Sequence, residues 1–424
     1  MKKLSMIIIG AGGRGCTYAG FAERNPEMFE VVGVAEPVAE RRNFITTHHP
    51  KAKDNAYLCW SEILAQPKMA DIAVIATMDR MHFEPAMKAI ELGYDLLLEK
   101  PMAPTPEECK AICEAAEKKG TRILVCHVLR YTAFFKAIKD VIDSGRLGRL
   151  MSVSHVEGVG NLHQSHSFVR GNWRNEQESS CMLLQKSCHD IDILQWLVGA
   201  RALRVQSFGE LSYFTHDNRP EGAPDYCMDG CPHADKCRFH VENVYLSPKS
   251  AGFMRQRVAE NPEPQDDVIR EKLKRGQFGR CVFACDNDVV DHQIVNLEFE
   301  NHIYVNFTMN AFNLGGRVIR IMGTQGELEA AMNKDYLTFT SFDTEEKEEI
   351  GIFGAVTDES ITSGHGGGDD GIMLALYDLI AEGKKSKSVC DIRTSYENHM
   401  IVFAAEKSRH ENLVVDVDAY AESI

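Results

Sequence analysis

The sequence predicts an α/β protein: an N-terminal doubly wound parallel sheet, then a C-terminal α+β domain with a large, mostly antiparallel open sheet. The first part is predicted by short apolar runs that alternate with helical stretches. The second is predicted by longer segments in which polar and apolar residues alternate. Because a chain of 424 residues usually forms more than one core, we expect two domains, at 1–127 and 128–424.

The N-terminal strands are apolar almost throughout, as strands buried on both faces are. They are expected at 4–10, 30–36, 71–77, 95–100 and 122–127. Predicted helices at 82–93 and 105–120 lie between them, the second with Thr105 as its N-cap and Glu108 three residues on. Strand, helix and strand in series imply right-handed crossovers and therefore a parallel sheet.

The C-terminal pattern begins after one helix at 132–145. Alternating strands are expected at 149–158, 202–211, 290–300, 302–312, 317–323 and 335–342, with a hairpin turn at Glu300 and Asn301. Further helices are expected at 189–199, 369–383 and 393–410. Helices on one side only would leave a sheet face open, and oligomerisation commonly covers such a face. We therefore predict a homodimer or homotetramer.

Composition argues against several classes of partner. The 47 Lys and Arg against 62 Asp and Glu give a net charge of −15, so we expect no nucleic-acid partner. No stretch approaches the roughly 20 apolar residues of a membrane span, and the short apolar run at the start leads into a glycine-rich turn rather than a signal-peptide cleavage site. The 13 irregularly spaced cysteines are typical of reduced thiols, which predicts a cytoplasmic protein without membrane attachment.

A glycine-rich turn directly follows the first predicted strand. Its sequence, GAGGRG, fits G-x-G-x-x-G between a strand and a helix, which is the context of a dinucleotide-binding loop. Such a turn brings the backbone close to a pyrophosphate and aims a helix N-terminus at its charge. The predicted cofactor contacts in this loop are Gly10, Gly12, Gly13, Arg14 and Gly15.

An acidic residue ends the second predicted strand. Glu36 is expected to accept hydrogen bonds from the adenosine ribose hydroxyls, and it would repel a 2′-phosphate. The sequence therefore favours NAD over NADP, although Arg41, a further predicted cofactor contact, and Arg42 weaken that preference.

Polar residues also follow the third and fourth predicted strands at the same edge of the sheet. Thr77, Asp79 and His82 are expected to contact the cofactor. The alternative is that Asp79 or His82 only caps the helix that begins there. Three consecutive leucines then lead directly into Glu99 and Lys100, at the edge where open α/β sheets bind ligands.

These motifs resemble the glucose-fructose oxidoreductase and inositol dehydrogenase (Gfo/Idh/MocA) family. The resemblance is carried by GAGGRG, the end of GVAE, TMDRMH and EKP, and in the second half by GNWR, KSCHDIDILQWLVG and HGGGD. It extends from residue 4 to about residue 410. The resemblance implies a Rossmann fold with bound NAD, in which Lys100 lies beside the nicotinamide and contacts the reacting hydroxyl. It also implies that Glu99 and Pro101 shape the bend and that His189 is the acid/base.

The sequence departs from the family pattern next to this histidine. Many members have an aspartate four residues earlier, where this chain has Gln185, followed by Lys186. His189 thus loses a stabiliser of its charged form, and Lys186 would lower its pKa further. Either the proton relay is rearranged, with Lys186 as an additional catalytic base, or the substrate carries negative charge.

Basic and aromatic residues of the second half are candidate substrate contacts. Arg130, Arg170 and Arg174 would pair with the carboxylate of a sugar acid, unless they are solvated or paired with carboxylates of this chain. Trp173 would offer a flat wall to a sugar ring, unless it belongs to the core. Further candidates are Gln185, His155, His163 and His166.

A polar segment contains Cys227, Cys231 and Cys237, spaced C-x3-C-x5-C, with Cys281 and Cys285 further along. Three thiolates and a fourth ligand would hold a structural zinc ion. Since the spacing does not match the common C-x2-C pattern, we prefer metal-free thiols and leave the zinc alternative open.

The leading functional hypothesis is an NAD-dependent dehydrogenase acting on a secondary hydroxyl of a sugar, sugar acid or cyclitol. An alternative from the same family is an NAD-dependent glycosidase, in which transient oxidation of a ring hydroxyl makes the neighbouring C–H acidic and allows elimination. An additional base would help to remove that proton, and Lys186 is a candidate. A third is a non-enzymatic sensor of a dinucleotide or sugar. Retention of both Lys100 and His189 argues against the sensor, which needs no proton-transfer pair.

Overall fold

Two sheets organise the chain. The computed structural model describes residues 2–261, 263–354 and 365–424. It contains a six-stranded parallel sheet and a nine-stranded, mostly antiparallel sheet. The predicted fold class is confirmed.

The first sheet has the order β3-β2-β1-β4-β5-β6, and every pair is parallel. Its strands are β1 (Leu4–Ile9), β2 (Phe29–Ala35), β3 (Ala56–Tyr57), β4 (Ile72–Ile75), β5 (Asp95–Leu98) and β6 (Ile123–Val125). The central strands are buried on both faces, which explains their continuous apolar sequences. Strand order reverses between β1 and β4, so a ligand crevice is expected outside their carboxyl ends.

Five α-helices connect these strands: α1 (Gly13–Arg24), α2 (Ala39–His48), α3 (Trp60–Ile63), α4 (Phe83–Leu92) and α5 (Pro106–Lys119). The predicted cap of α5 is present, since the Thr105 side chain accepts a hydrogen bond from the Glu108 amide at 3.3 Å. Helix α4 ends on Gly93 in the left-handed conformation, φ 82°, where glycine is least strained.

The second sheet has the order β14-β13-β12-β11-β7-β10-β9-β8-β15. Only β7 and β10 pair in parallel. The predicted hairpin joins β9 and β10 through a turn at Glu300–His302. The strands are β7 (Leu150–Gly158), β8 (Ala202–Glu210), β9 (His292–Phe299), β10 (Ile303–Asn310), β11 (Gly316–Gly323), β12 (Gly326–Ala331), β13 (Tyr336–Ser341), β14 (Lys347–Gly351) and β15 (Val415–Asp416).

Helices cover one face of this sheet, and α14 runs along it against β8 and α9. A π-helical segment, Gln164–Arg170, follows the short helix α7. The helices of this half are α6 (Ala133–Asp143), α7 (Asn161–His163), α8 (Met182–Gln185), α9 (Cys188–Val198), α10 (Val241–Tyr245), α11 (Gly252–Ala259), α12 (Asp266–Arg275), α13 (Gly368–Ala381), α14 (Ile392–Glu411) and α15 (Val417–Ser423).

Between β8 and β9 the chain leaves the sheet, and we call residues 211–291 the insertion. It has a small apolar core of its own, which includes Phe214, Phe239, Tyr245, Met254 and Val258. The sequence predicted no helix here, whereas the structure has three, α10 to α12.

Helix α13 lies in the predicted second domain but packs against the first sheet. Its residues Ile372 and Leu376 share a core with Leu4 and Met6 of β1, and the Tyr377 hydroxyl donates to the Lys2 carbonyl at 2.9 Å. The domain boundary at residue 127 stays a prediction. Helix α13 comes after this boundary in sequence but packs on the N-terminal side of it. Among the described helices, none combines the length and apolarity required to cross a membrane.

Candidate active site

The glycine loop leaves open space where a dinucleotide would approach. Gly10 has φ +90°, and a Cβ on it would lie 2.6 Å from the Ala76 carbonyl oxygen. A Cβ on Gly15 would lie 2.0 Å from the Gly10 carbonyl oxygen. A Cβ on Gly12 or Gly13, in contrast, would meet no atom within 4 Å. Gly10 and Gly15 therefore permit close packing of the backbone. Gly12 and Gly13 leave open space at the N-terminus of α1, which is where a pyrophosphate would bind.

The carboxylate of Glu36 is held beside this loop. One oxygen accepts a hydrogen bond from the Ala11 amide at 2.7 Å, and the other accepts from the Val38 amide at 3.0 Å. Each oxygen keeps a second lone pair, so the predicted contact with ribose hydroxyls remains geometrically possible. Arg42 donates to the Glu36 carbonyl at 2.5 Å and thereby supports the backbone at this corner.

Arg14 is committed to partners within the chain. Its guanidinium donates to Glu99 at 2.6 Å and to both oxygens of Asp369 at 2.9 and 2.8 Å. Burial alone would raise the pKa of Glu99, but Arg14 and the Tyr18 hydroxyl outweigh it and hold that pKa below its usual range. Only the backbone of Arg14 is thus left for the predicted cofactor contact, and Glu99 acts as an anchor within the chain.

The residues after β4 connect the two sheets. Asp79 is buried and accepts hydrogen bonds from Ser179 at 3.0 Å, Ser180 at 3.3 Å and the Trp173 indole at 3.4 Å. His82 is the N-cap residue of α4, but no side-chain hydrogen bond caps this helix, so the capping alternative holds for the position of His82 and not for a side-chain cap.

His82 holds the backbone on both sides of the cleft edge. Its Nδ1 lies 2.7 Å from the Pro101 carbonyl oxygen, and its Nε2 lies 3.2 Å from the Thr77 carbonyl oxygen. The Thr77 hydroxyl donates to the Met81 carbonyl at 3.0 Å. His82 is 1% exposed, so it supports the loop that carries Lys100 rather than facing a ligand.

Lys100 and His189 converge from opposite halves of the chain. The Lys100 ammonium donates to the Gln185 carbonyl at 2.6 Å, immediately before the helix that carries His189. Burial and then the charge of Lys100 lower the pKa of His189 well below its ordinary value. Among the described residues neither ring nitrogen of His189 has a hydrogen-bond partner, and of the two only Nδ1 is enclosed, which leaves Nε2 toward the cleft.

Gln185 occupies the position of the missing aspartate but does not contact His189 through its amide group. Its amide nitrogen donates to the Trp173 carbonyl at 2.9 Å, and its amide oxygen lies 3.1 Å from the Ser179 hydroxyl oxygen. Trp173 is partly buried against the main core. Both residues therefore shape the wall of the cleft, and their predicted contact with substrate stays a prediction.

Lys186 belongs to a chain of buried charges. Its ammonium lies 2.8 Å from Glu157, which also pairs with Arg317 at 2.8 Å. Arg317 in turn pairs with Asp190 at 2.8 Å, and Asp190 lies 2.8 Å from Nε2 of His155. Lys186 and His155 are the two ends of this network. The Lys186 ammonium is therefore paired with a carboxylate and is not an isolated charge.

The three arginines considered for a substrate carboxylate all have partners in this chain. Arg130 is buried and makes a bidentate pair with Asp192 at 2.7 and 2.6 Å. Arg170 is buried and donates to the carbonyls of Arg280 and Phe239. Arg174 pairs with Glu178 and Asp286, both at 3.0 Å. Arg130 and Arg174 thus match the alternative of pairing with carboxylates of this chain. Arg170 does not, because its described contacts are two backbone carbonyls and the Cys227 sulfur, and its buried Nη1 has no hydrogen-bond partner among the described residues.

Other histidines line or support the cleft. Burial and the charge of Lys186 lower the pKa of His163, which is partly exposed. His166 is buried against the Phe278 ring, with centroids 4.8 Å apart, and burial lowers its pKa to about 3. The His163 ring lies 5.6 Å from the Phe168 ring and 5.5 Å from the Phe253 ring, and His166 packs against the aromatic rings of the insertion.

Within the described ranges, one group of side chains has spacing suited to a metal: His127, Asp192 and Cys390. Its carboxylate already binds the Arg130 guanidinium, whose positive charge opposes a metal ion there. The cysteines of the insertion do not form such a group in the part of the chain that is described. Cys227 instead lies 3.7 Å from an Arg170 nitrogen, and the zinc alternative gains no support from this geometry.

Comparison with known protein families agrees with this site. Residues 4–127 match a profile described as an oxidoreductase family with an NAD-binding Rossmann fold. Residues 135–329 match the GFO/IDH/MocA C-terminal domain. The chain belongs to the Gfo/Idh/MocA oxidoreductase family.

Relatives of this Gfo/Idh/MocA oxidoreductase include a putative oxidoreductase, YteT, of Bacillus subtilis, 24% identical over 84% of this chain and 83% of that protein. Inositol 2-dehydrogenase of Streptomyces avermitilis is 29% identical over 48% of this chain and 55% of its own length. Among solved structures, levoglucosan dehydrogenase in complex with NADH and levoglucosan superposes with TM-score 0.70 at 20% identity, covering 98% of this chain and 100% of that one.

Several residues of the site were not singled out from the sequence. Asp369 and His365 lie in the HGGGD motif that carries part of the family resemblance. The sequence did not predict that these two residues bind the Arg14 guanidinium. Glu157 and Arg317 lie on ordinary alternating strands, so no local pattern marks them. A charged residue on the buried face of a strand was the available signal, because such charges need a partner.

The glycine loop of this oxidoreductase gives a direct test of cofactor access. Gly12→Val should weaken NAD binding at least tenfold while leaving the melting temperature unchanged, because its side chain would project into open space. Gly15→Val should lower the melting temperature, because its Cβ would overlap the Gly10 carbonyl. Calorimetric NAD titration and thermal unfolding distinguish the two, and unchanged NAD binding in Gly12→Val would contradict this position for the pyrophosphate.

Proposed function

We propose that this protein is an NAD-dependent dehydrogenase that oxidises a secondary hydroxyl of a sugar or cyclitol. The observation that supports this best is the anchoring of Lys100 on the Gln185 carbonyl at 2.6 Å. This hydrogen bond brings an ammonium group from the Rossmann edge to the segment that carries His189. The Lys100 ammonium and the His189 imidazole, a cation and a proton acceptor, are thereby brought to the same part of the site.

The two side chains have complementary tasks. Bound NAD would supply the hydride acceptor. Lys100 would stabilise the negative charge that develops on the hydroxyl oxygen as its proton leaves. His189 would accept that proton at Nε2, because burial and the charge of Lys100 lower its pKa and keep the ring neutral at physiological pH.

The pairing of the arginines favours an uncharged substrate. Arg130 and Arg174 are already paired with carboxylates of this chain, and Arg170 is buried with two backbone carbonyls as acceptors. The hydroxyls of a neutral polyol need no unpaired cation, because each hydroxyl can both donate and accept a hydrogen bond. We therefore propose a neutral sugar or cyclitol as the substrate in preference to a sugar acid.

NAD is proposed in preference to NADP, because Glu36 lies beside the glycine loop at the predicted ribose position.

The glycosidase alternative required an additional base, for which Lys186 was the candidate. Lys186 is paired with Glu157, so the structure adds no support to that alternative.

The test is to incubate the protein with NAD and a panel of polyols, sugars, sugar acids and glycosides. Appearance of the near-ultraviolet absorbance of NADH with a sugar or cyclitol is the expected result. Release of free sugar from a glycoside without accumulation of NADH would support the glycosidase instead. Tight NAD binding without either reaction would support the hypothesis of a non-enzymatic sensor.

The exposed face of the second sheet supports self-association. Cross-strand register places five residues in one row across β8, β9, β10, β7 and β11. Four of them are exposed apolar side chains, and one is a threonine. The row is Phe208, Ile294, Thr308, Val156 and Val318. We propose that a second copy of the chain covers this row, in a homodimer or homotetramer, and that the protein acts in the cytoplasm.

A charge in the middle of this row should separate the copies. Ile294→Glu would place a carboxylate inside the proposed contact, where its desolvation opposes association. We expect the assembly to become monomeric in light scattering, whereas Val268→Glu, at a similarly exposed position on α12, should not change the mass. An unchanged mass for Ile294→Glu would rule out this interface.

A further inference from the structure

A second buried histidine lies next to His189. His127 follows β6, the neighbour of the strand that leads into Lys100, and it is fully buried. The rings of His127 and His189 meet edge to face, with centroids 5.9 Å apart. In the described part of the chain, both nitrogens of His127 and Nδ1 of His189 are buried without a hydrogen-bond partner. Two adjacent rings thus share an enclosed region in which polar atoms need partners.

Another histidine beside His127 is already engaged. The centroid of the His399 ring lies 5.9 Å from that of the His127 ring. Its Nε2 accepts a hydrogen bond from the Met102 amide at 3.0 Å, so its proton is on Nδ1, which lies 2.6 Å from the Ser395 carbonyl oxygen. The backbone therefore uses both nitrogens of His399, and it is His189 that can interact with His127.

Asp192 decides which nitrogen of His127 carries the proton. One of these nitrogens lies within 4.8 Å of a carboxylate oxygen of Asp192. Burial alone would raise the pKa of Asp192, but the charge of Arg130 outweighs burial and keeps the carboxylate ionised. Because a carboxylate attracts an N–H toward it, the nearer nitrogen of His127 is protonated. The other nitrogen keeps its lone pair and can accept a hydrogen bond.

His127 is an acceptor without a charge. Burial lowers its pKa to about 4, and the charge of Asp192 only partly opposes this effect. The ring is therefore neutral at physiological pH. A neutral acceptor orients a neighbouring N–H but, unlike a carboxylate, adds no negative charge that would raise the pKa of His189. This agrees with the lowered pKa of His189.

We propose that His127 is a positioning residue for His189 and performs this task instead of the aspartate that Gln185 replaces. One water molecule bridges the rings, accepting from Nδ1–H of His189 and donating to the unprotonated nitrogen of His127. Two groups bridged by one water lie about 4.5 Å apart, which suits adjacent rings that are not directly bonded. The bridge keeps the proton of His189 on Nδ1, so that the lone pair of Nε2 is available to the substrate hydroxyl.

This inference rests on the proposed function, in which Nε2 of His189 accepts the hydroxyl proton. The tautomer of His189 tests it without any substrate. In nitrogen NMR of the protein with isotope-labelled histidines, the signals of His189 are those that disappear in His189→Asn. We expect the proton on Nδ1 in the unsubstituted protein. In His127→Leu the form with the proton on Nε2 should become the major one, because the bridge is lost.

Kinetics of the same variants give a second measurement. In His127→Leu, kcat for oxidation of the alcohol should fall about 10- to 100-fold, the usual effect of removing a group that orients a functional histidine. The KM for the alcohol and the Kd for NAD should change by less than threefold. His127→Gln, whose amide oxygen can accept from the bridging water, should keep the Nδ1 proton on His189 and most of kcat.

His166→Leu is the matched control, since His166 is an equally buried histidine that packs against the ring of Phe278. It should leave the tautomer of His189 and kcat unchanged. The melting temperature of His127→Leu should not fall, because leucine replaces buried nitrogens that have no partner among the described residues.

A proton that stays on Nδ1 of His189 in folded His127→Leu would overturn this role of His127 and leave the proposed function intact. A proton on Nε2 in the unsubstituted protein would contradict both proposals. If no polyol yields NADH, the proposed function fails, and the tautomers still decide whether His127 orients His189.

Discussion

Replacing Lys100 by methionine should reduce kcat for oxidation of the alcohol by about 10²- to 10³-fold, the usual cost of removing a group that stabilises developing negative charge. Methionine keeps much of the aliphatic volume of lysine and removes only the ammonium. The hydrogen bond to Gln185 at 2.6 Å would be lost, together with the cation proposed to stabilise the reacting oxygen. Steady-state kinetics with the substrate found in the polyol panel would measure the change.

NAD affinity separates a chemical role of Lys100 from damage to the fold. Its side chain is directed toward Gln185, so the Kd for NAD should change by less than threefold in Lys100→Met. Lys118→Met, at an exposed position in the last turn of α5, should behave as the unsubstituted protein in both measurements. If Lys100→Met kept kcat within a factor of ten, charge stabilisation by Lys100 would be excluded.

His189→Asn should lower kcat by about 10²- to 10⁴-fold, the contribution typical of a positioned general base. Asparagine can keep a hydrogen bond to a hydroxyl but cannot accept its proton at neutral pH. NAD binding should persist, because the glycine loop and Glu36 are formed by the other half of the chain. Added imidazole should restore part of the rate by replacing the missing acceptor.

The pH dependence tests the same role through the lowered pKa of His189. Oxidation requires the neutral ring, and the neutral form of a group with a lowered pKa persists as the pH falls through the ordinary imidazole value of about 6.5. The acidic limb of kcat/KM should therefore lie below pH 6.5 and disappear in His189→Asn. His216→Asn, an exposed substitution, should leave the profile unchanged. An acidic limb that survives in His189→Asn would assign it to another group.

Much of the architecture could be predicted because local patterns reflect local physics. Strands buried on both faces must be apolar, and helix ends need caps, as Thr105 and Gly93 show. The insertion was the part that could not be predicted. Its three α-helices have five, eight and ten residues, which is shorter than the roughly 11 residues over which helical periodicity is recognised.

The candidate site was predicted through its motifs, but the use of each side chain was not. Arg14 lies within the glycine loop and Arg130 follows the last predicted strand of the first sheet, so both would suit an anionic ligand. The structure pairs the first with Asp369 and the second with Asp192, each distant in sequence. Because burial of a charge is tolerated only with a partner, these carboxylates decide that the arginines serve the fold.

By itself the sequence determined which elements form and which reactive groups stand at their ends, since a glycine turn, an acidic strand end and a lysine after three leucines act through neighbours along the chain. Only the tertiary structure decided which cations are paired with a carboxylate: Lys186 has Glu157, whereas the Lys100 ammonium donates to the Gln185 carbonyl. The physical reason is that electrostatic pairing depends on distance in space, and the packing of the two halves sets that distance.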